Sequence, residues 1–148
     1  MQTTLDLQQL VAGAGDAVMA SDASGVIVLW NPASERIFGF SEAEALGRSL
    51  DLIIPERQRG RHWEGYETTM ATGITKYGAD LLRVPALHKD GRTLSIAFTV
   101  SMLKDADDKV SAIVAIVRDE TVRFQEMRDL RKRLADAESK LANAAPAV

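Results

Sequence analysis

The sequence contains no cysteine and only two histidines, His62 and His88, among its 148 residues. The lack of cysteine excludes disulfide bonds, thiolate metal sites, a cysteine nucleophile and any cysteinyl photoadduct. Metal binding or acid–base chemistry must therefore use one of these two imidazoles or the carboxylates.

Other features are scarce as well. The N-terminus lacks the basic segment and the following apolar run of a signal peptide. No stretch approaches the 18 uninterrupted apolar residues of a membrane-spanning helix. We therefore expect a soluble, cytoplasmic protein without a membrane partner. The 18 basic residues against 21 acidic ones give a net charge of −3, which argues against nucleic acid as a partner. The 46% hydrophobic and 26% charged residues are typical of an ordinary globular domain.

Apolar periodicity predicts the order of the elements. A short N-terminal helix comes first, then two strands, several short helices, and finally three strands. The predicted strands are 17–22, 26–30, 77–87, 93–103 and 110–117, and the longest central helix is 56–72, closed by Gly73. This order fits an α+β fold with a five-stranded antiparallel sheet and short helices on one face.

Two helix starts are marked by their capping residues. Asn31 can cap a helix whose first residue is Pro32, a position that proline favours. Ser41 is followed by early acidic residues, which predicts a second short helix that ends at Gly47.

The C-terminal segment has a different pattern. Apolar residues recur 3, 4, 3 and 4 positions apart, as in a heptad repeat: Met127, Leu130, Leu134, Ala137 and Leu141. Charged residues surround this narrow seam, which favours a dimeric coiled coil, and the alternative is a helix packed on its own sheet. The predicted organisation is an N-terminal cap helix at 1–15, a central domain at 16–118, a C-terminal coiled-coil helix at 119–142 and a flexible tail at 143–148.

Three motifs together resemble PAS sensory domains. The segment 21–50, SDASGVIVLWNPASERIFGFSEAEALGRSL, resembles the PAS hairpin, the Asn-x-Ala helix and the aromatic-Gly-aromatic motif. HKDGR at 88–92 resembles the charged-Asp-Gly hairpin of the family, and VRDET at 117–121 resembles the Asp-x-Thr junction to an output helix. The resemblance implies a non-enzymatic sensor that relays its signal through a C-terminal helix to an output domain or signalling partner. Together with the apolar seam, this leads us to expect a homodimer formed through the N- and C-terminal helices.

The segment 61–78, RHWEGYETTMATGITKYG, resembles the corresponding helix of haem-binding PAS domains of oxygen-sensing histidine kinases and phosphodiesterases. Aligned without gaps, His62 falls at the axial ligand of a b-type haem, and Tyr66 matches the family tyrosine four residues later. Tyr66 and Met70 share the helix face of His62. The resemblance assigns further haem contacts to Lys76, Tyr77, Leu82, Phe98 and Val100.

The chain departs from the oxygen-sensor pattern at three positions. Thr68 stands where the histidine-kinase type has an arginine near a haem propionate, and threonine lacks that charge. Lys76 stands where that type has a histidine that contacts a propionate, and lysine can make the same contact as a cation. Leu82 occupies the position of the distal arginine that hydrogen-bonds oxygen, while Arg83 points to the opposite face of a strand. The signal is therefore left open among O2, CO, NO and a change of redox state.

Other functions remain open. A cofactor-free or small-ligand PAS module for dimerisation and interaction is the main alternative. Flavin ranks below haem because the predicted pocket strands offer no Asn or Gln donors. The sequence shows neither a Ser-His-Asp pattern nor a phosphate-binding glycine loop, so we do not expect an enzyme. His88 lies in a polar turn, where we expect it to be exposed to solvent.

Overall fold

The computed structural model describes residues 3–75 and 77–144, and its centre is a five-stranded antiparallel sheet with the strand order β2-β1-β5-β4-β3. The strands are β1 (Ala17–Asp22), β2 (Ile27–Trp30), β3 (Leu82–Leu87), β4 (Thr93–Lys104) and β5 (Val110–Asp119). The helices are α1 (Leu7–Gly13), α2 (Pro32–Phe38), α3 (Glu42–Ala45), α4 (Glu56–Thr72) and α5 (Thr121–Ala144), with a 3-10 turn at Leu50–Ile53. This architecture confirms the predicted α+β class.

The register of the strands defines the inner face of the sheet. Val117 pairs with Ala17 on one side and with Phe98 on the other, and Phe98 pairs with Leu82. Directly paired residues of an antiparallel sheet point to the same side, so these four side chains share one face. The same face contributes Met19 to a core completed by Trp30 and Phe38. The short helices α2 to α4 therefore cover this inner face.

The predicted capping residues begin their helices as expected. The side chain of Asn31 accepts a hydrogen bond from the backbone N–H of Ser34 (3.0 Å) and another from Val18 in β1 (2.9 Å). Ser41 and Glu44 form a reciprocal capping box at the start of α3. Asn31 thus joins the start of α2 to the central sheet.

Some predicted boundaries were wrong. β3 begins at Leu82 and not at residue 77, because a turn precedes it: the N–H of Asp80 donates to the carbonyl of Tyr77 (2.9 Å), and Gly78 has a left-handed φ of 55°. α3 ends at Ala45, before Gly47. The predicted flexible tail begins within α5, which continues to Ala144, and residues 145–148 lie outside the described residues.

The expectation that His88 is exposed was also wrong, because its side chain is only 14% exposed. Its ring packs against Gly39, where a Cβ atom would lie 2.5 Å from the His88 ring. The neighbouring Lys89 donates its N–H to the carbonyl of Phe38 (2.9 Å), and its ammonium group lies 2.6 Å from Glu44. The hydrogen bond from Lys89 lowers the pKa of Glu44 to about 2. The β3–β4 hairpin is thereby held against α2 and α3.

The C-terminal helix α5 leaves the sheet, which contradicts the alternative of a helix packed on its own sheet. Every residue from 122 to 144 is exposed, so the seam has no partner within the described part of the chain. Only the start is anchored: the Thr121 hydroxyl accepts from the N–H of Ser95 (3.0 Å) and donates to Asp119 (2.5 Å). Within the described ranges, no helix is both long enough and apolar enough to span a lipid bilayer.

The helix α4 contains two glycines at which we predict a gain in stability. A Cβ atom at Gly60 or Gly65 would meet no atom within 4 Å, and both residues lie inside the helix. Gly60→Ala and Gly65→Ala should each raise the free energy of unfolding by about 0.5–1 kcal/mol, because alanine loses less backbone entropy on folding. Urea denaturation measures the change.

Gly73, which closes the same helix, provides the matched control. Its φ of 70° is left-handed, so Gly73→Ala should lower the free energy of unfolding by about 1 kcal/mol. A loss of stability in either of the two helix-interior variants would contradict the prediction.

Candidate functional site

Aromatic side chains attach α4 to the rest of the domain. The indole N–H of Trp63 donates to the carboxylate of Asp51 (2.7 Å) in the 3-10 turn. The Trp63 ring lies against Gly25 in the β1–β2 turn, where a Cβ atom would approach the ring to 2.1 Å. Gly25 also has a left-handed φ of 78°. The turn therefore needs glycine both for its backbone conformation and for its contact with Trp63.

Tyr66 makes the second attachment, one turn further along α4. Its hydroxyl donates to the backbone carbonyl of Asp22 and accepts from the hydroxyl of Ser21, which lies 2.9 Å away on the inner face of β1. Tyr66 is 8% exposed, and this burial raises the pKa of its hydroxyl. The hydroxyl is thus held by β1, while the ring lies beside His62, with 5.8 Å between the ring centroids.

His62 is half-buried in this aromatic cluster. Its ring meets the Trp63 ring edge-on, with a centroid distance of 4.7 Å. The Nδ1 atom of His62 is buried, and none of the described residues forms a hydrogen bond with it. Burial lowers the pKa of His62, and Asp51 opposes this shift only in part. His62 is therefore a neutral imidazole with a buried nitrogen that has no hydrogen-bond partner, a costly arrangement in a folded protein.

An apolar part of the inner sheet face is incompletely covered. Leu82 pairs with Phe98, and Val100 follows on the same face of β4, yet all three side chains are only half-buried. By contrast, Leu94 and Val117 on this face are at most 2% exposed. The helices thus seal one part of the inner face and leave an apolar wall around Phe98 that a bound group could cover.

The other predicted site residues are placed differently. Met70 is half-buried, two turns beyond His62 on α4. Tyr77 is 41% exposed and lies in the turn before β3, not in the strand. Lys76 lies outside the described residues. Arg83 lies on the face opposite to Leu82, and its guanidinium pairs with Glu120 at 3.2 Å.

Sequence reasoning missed Asp51 and Ser21, which hold Trp63 and Tyr66. Asp51 belongs to no recognised motif, and the motif that begins at Ser21 does not point to Tyr66, because each residue meets its partner only after the chain has folded back.

Two surface grooves, of about 220 Å3 and 620 Å3, lie elsewhere and are not lined by His62. The described ranges hold no group of three or more His, Asp or Glu side chains suited to a metal ion. Iron in a haem needs only one or two protein ligands, so this finding bears on free ions alone.

The family model of the PAS fold matches residues 5–119, which include the sheet, α4 and the His62 cluster. The chain belongs to the PAS family. PAS domains are sensory and interaction modules, and they are usually non-enzymatic.

Two curated relatives resemble this PAS domain in sequence. The sensor protein FixL of Bradyrhizobium diazoefficiens is 30% identical over 131 residues, which are 86% of this chain and 24% of the relative. The oxygen sensor protein DosP of Escherichia coli is 26% identical over 106 residues, which are 72% of this chain and 13% of that protein. The chain thus spans at most about a quarter of the length of either relative.

Solved structures show the same fold. A PAS domain from Colwellia psychrerythraea superposes with a TM-score of 0.68 at 21% identity, covering 78% of this chain and 94% of that one. An RNA-binding light-oxygen-voltage receptor also gives a TM-score of 0.68 at 21% identity, covering 87% of this chain and 36% of that one. At this identity the likeness concerns the fold alone.

The pKa of His62 leads to a prediction for the protein without any bound group. Burial lowers this pKa below its ordinary value of 6.5, so the unfolded chain takes up the proton at a higher pH than the folded chain does. The contribution of His62 to stability is therefore fully present above pH 6.5 and is lost as the pH falls through the folded pKa. His62→Gln should show a shallower fall in the free energy of unfolding between about pH 7.5 and 5.5. Urea denaturation across this range measures both slopes, and equal slopes would contradict the assignment.

Proposed function

We propose that this PAS domain is a sensor that binds b-type haem through His62. The observation that carries the proposal is the buried Nδ1 of His62, which has no hydrogen-bond partner among the described residues. The resemblance of the segment 61–78 to haem-binding PAS domains supports an axial ligand at the same residue. The similarity to DosP, which is named an oxygen sensor, supports the same function.

The side chains around His62 suit a haem group. Burial favours the neutral imidazole of His62, which is the form that ligates a metal, and no proton has to be removed first. Leu82, Phe98 and Val100 would form one apolar wall, and Met70 would contribute from α4. Such a lining excludes water and tunes the iron. When bound, haem supplies an iron that takes up a diatomic gas or changes its redox state.

The chain would relay the signal through β5 and α5. The inner face of β5 contributes Val117 to the core, and Asp119 follows at the end of the strand. Asp119 binds Thr121, whose hydroxyl also accepts the N–H of Ser95 in β4. A movement of the sheet thus reaches the first turn of α5 through hydrogen bonds. We assign residues 16–118 to sensing, residues 119–142 to signalling and residues 1–15 to a cap helix. The cap helix and α5 would together form a homodimer, which would pass the signal to an output domain or a signalling partner.

An absorption spectrum tests the haem assignment. We predict that the purified protein, supplied with haem, shows a Soret band and that His62→Ala loses or shifts it, because the axial ligand is gone. His88→Gln is the control, since it removes the only other imidazole and should leave the band in place. Circular dichroism of each variant checks that the domain is folded. A colourless wild-type protein, or an unchanged band in folded His62→Ala, would overturn the proposal.

One observation favours a second candidate, a cofactor-free interaction module. Trp63 and Tyr66 hold α4 firmly against Asp51 and β1, and the two described grooves lie away from His62. In that case His62 only packs within the aromatic cluster. This candidate predicts a colourless protein that dimerises whether or not His62 is replaced.

The half-buried Leu82 leads to a prediction about gas selectivity. Leu82 lies on the inner face beside Phe98, so an arginine there would bring a hydrogen-bond donor to the proposed pocket. Leu82→Arg should raise the affinity for O2 relative to CO, because bound O2 carries more negative charge and gains more from a donor. Gas titrations followed by absorbance measure both affinities.

Leu81→Arg is the matched control for that variant. Leu81 is 48% exposed and precedes the strand, so an arginine there should leave the ratio of the two affinities unchanged. An equal change in both variants, or no change at position 82, would show that Leu82 does not face the gas.

A further inference from the structure

A basic groove lies between the C-terminal helix and the edge of the sheet. It has a volume of about 620 Å3, and its walls come from the first turns of α5, from β3 and from the start of β4. Within the described part of the chain, five arginines and one acidic residue line it: Arg57, Arg83, Arg123, Arg128, Arg131 and Glu120. The whole chain has a net charge of −3, so this concentration of positive charge is local.

Most of this positive charge has no partner in the protein. Glu120 pairs with Arg83 at 3.2 Å, which uses the one carboxylate among the described lining residues. The other four arginines form no ion pair with any carboxylate of residues 3–75 and 77–144. Arginine stays charged at every physiological pH, and its planar guanidinium group binds a carboxylate through two hydrogen bonds. The groove therefore presents four free guanidinium groups to an acidic partner.

Apolar side chains lie among these arginines in the groove. Val84 is 38% exposed, Phe124 is 50% exposed and Met127 is 42% exposed. The guanidinium carbon of Arg128 lies 6.0 Å from the centre of the Phe124 ring, a distance at which a cation and an aromatic ring attract each other. An inorganic anion or a nucleic acid backbone would leave the apolar groups exposed to water. A peptide with both carboxylates and apolar side chains would cover both kinds of group.

The edge strand β3 limits how such a peptide can bind. This strand pairs only with β4, so its other edge is free of strand pairing. Pro85 lies within the strand and has no backbone N–H to donate, and a proline on a free edge hinders the addition of another strand. The peptide would therefore bind through its side chains and would not extend the sheet.

We propose that this basic groove docks an acidic segment of a partner protein, in which aspartates or glutamates stand next to apolar side chains. The carboxylates of the segment pair with the free arginines, and its apolar side chains pack on Phe124 and Val84. The groove shares only Met127 with the heptad seam and is not lined by His62. It is thus a separate surface from the proposed dimer and from the proposed haem site.

Fluorescence anisotropy tests the charge complementarity. The probe is a short fluorescein-labelled peptide in which glutamates alternate with leucines. Arg57→Glu combined with Arg123→Glu should weaken its binding about tenfold, because attractive contacts become repulsive. Lys132→Glu combined with Lys140→Glu makes the same change of net charge at exposed positions of α5 outside the groove, and should leave the affinity nearly unchanged. No binding by the natural protein, or equal weakening in the two double variants, would overturn the proposal.

A single substitution tests the apolar part of the groove. Phe124→Ala should weaken binding of the same peptide about fivefold, because the leucines lose the aromatic ring on which they pack. Val122→Ala is the matched control, since Val122 is 70% exposed on the same helix and does not line the groove. This control should bind as the natural protein does. An unchanged affinity in Phe124→Ala would contradict the proposed packing.

Two other occupants of the groove give different results. If a single-stranded oligonucleotide, or a peptide with serines in place of the leucines, binds as tightly as the probe, the groove is a general polyanion site and the proposal fails. If a second copy of the chain covers the groove, sedimentation equilibrium shows self-association that Arg57→Glu with Arg123→Glu abolishes and that Lys132→Glu with Lys140→Glu preserves. That result would also overturn the proposal.

These measurements do not depend on haem. A colourless protein that binds the acidic peptide in the groove would overturn the proposed cofactor and leave the docking site standing. A protein with a Soret band that does not bind the peptide would do the reverse.

Discussion

The pairing of β1 with β5 is the constraint on which the rest of the structure depends. Ala17, at the start of the sheet, pairs with Val117 near its end, and the whole sensory region lies between them in the sequence. Because β1 and β5 are neighbours, the chain between them adds β2 on one side of the pair and β4 and β3 on the other, and its helices cross one face of the sheet. The helices α2 to α4 occupy that face, and α5 begins directly where β5 ends. The strand β5 thus leads directly from the centre of the sheet into α5.

The attachment of α4 illustrates how that constraint shapes the site. Tyr66 binds to Ser21 and Asp22 at the end of β1, and Trp63 binds to Asp51. These contacts place His62 between two aromatic rings and bury its Nδ1 without a partner. A buried polar atom without a hydrogen bond weakens the folded state. The contacts that hold α4 in place thus also determine the surroundings of His62.

Much of the fold was predictable because its signals are local. Asn31, Ser41 and Gly73 mark helix ends through hydrogen bonds or backbone angles within a few residues, and the structure places all three where expected. The start of β3 was not predictable from its apolar pattern, because the turn around Gly78 takes Tyr77 out of the strand. His88 lies in a polar turn by sequence, yet the absence of a side chain at Gly39 allows its ring to pack there. Such contacts join segments that are distant in the sequence, so no periodic pattern of residues predicts them.

The sequence by itself indicated the family and the five-stranded sheet, since motif spacing and capping are properties of neighbouring residues, and it singled out His62 as a candidate ligand. It also determined that α5 carries a narrow apolar seam with charges beside it. Only the tertiary structure decided that α5 leaves the sheet, that the hydroxyl of Tyr66 is held by β1, and that the wall around Phe98 is partly uncovered. These features depend on which face of each strand packs against which helix. The register of strand pairing decides this, because it sets the face of the sheet on which each side chain lies.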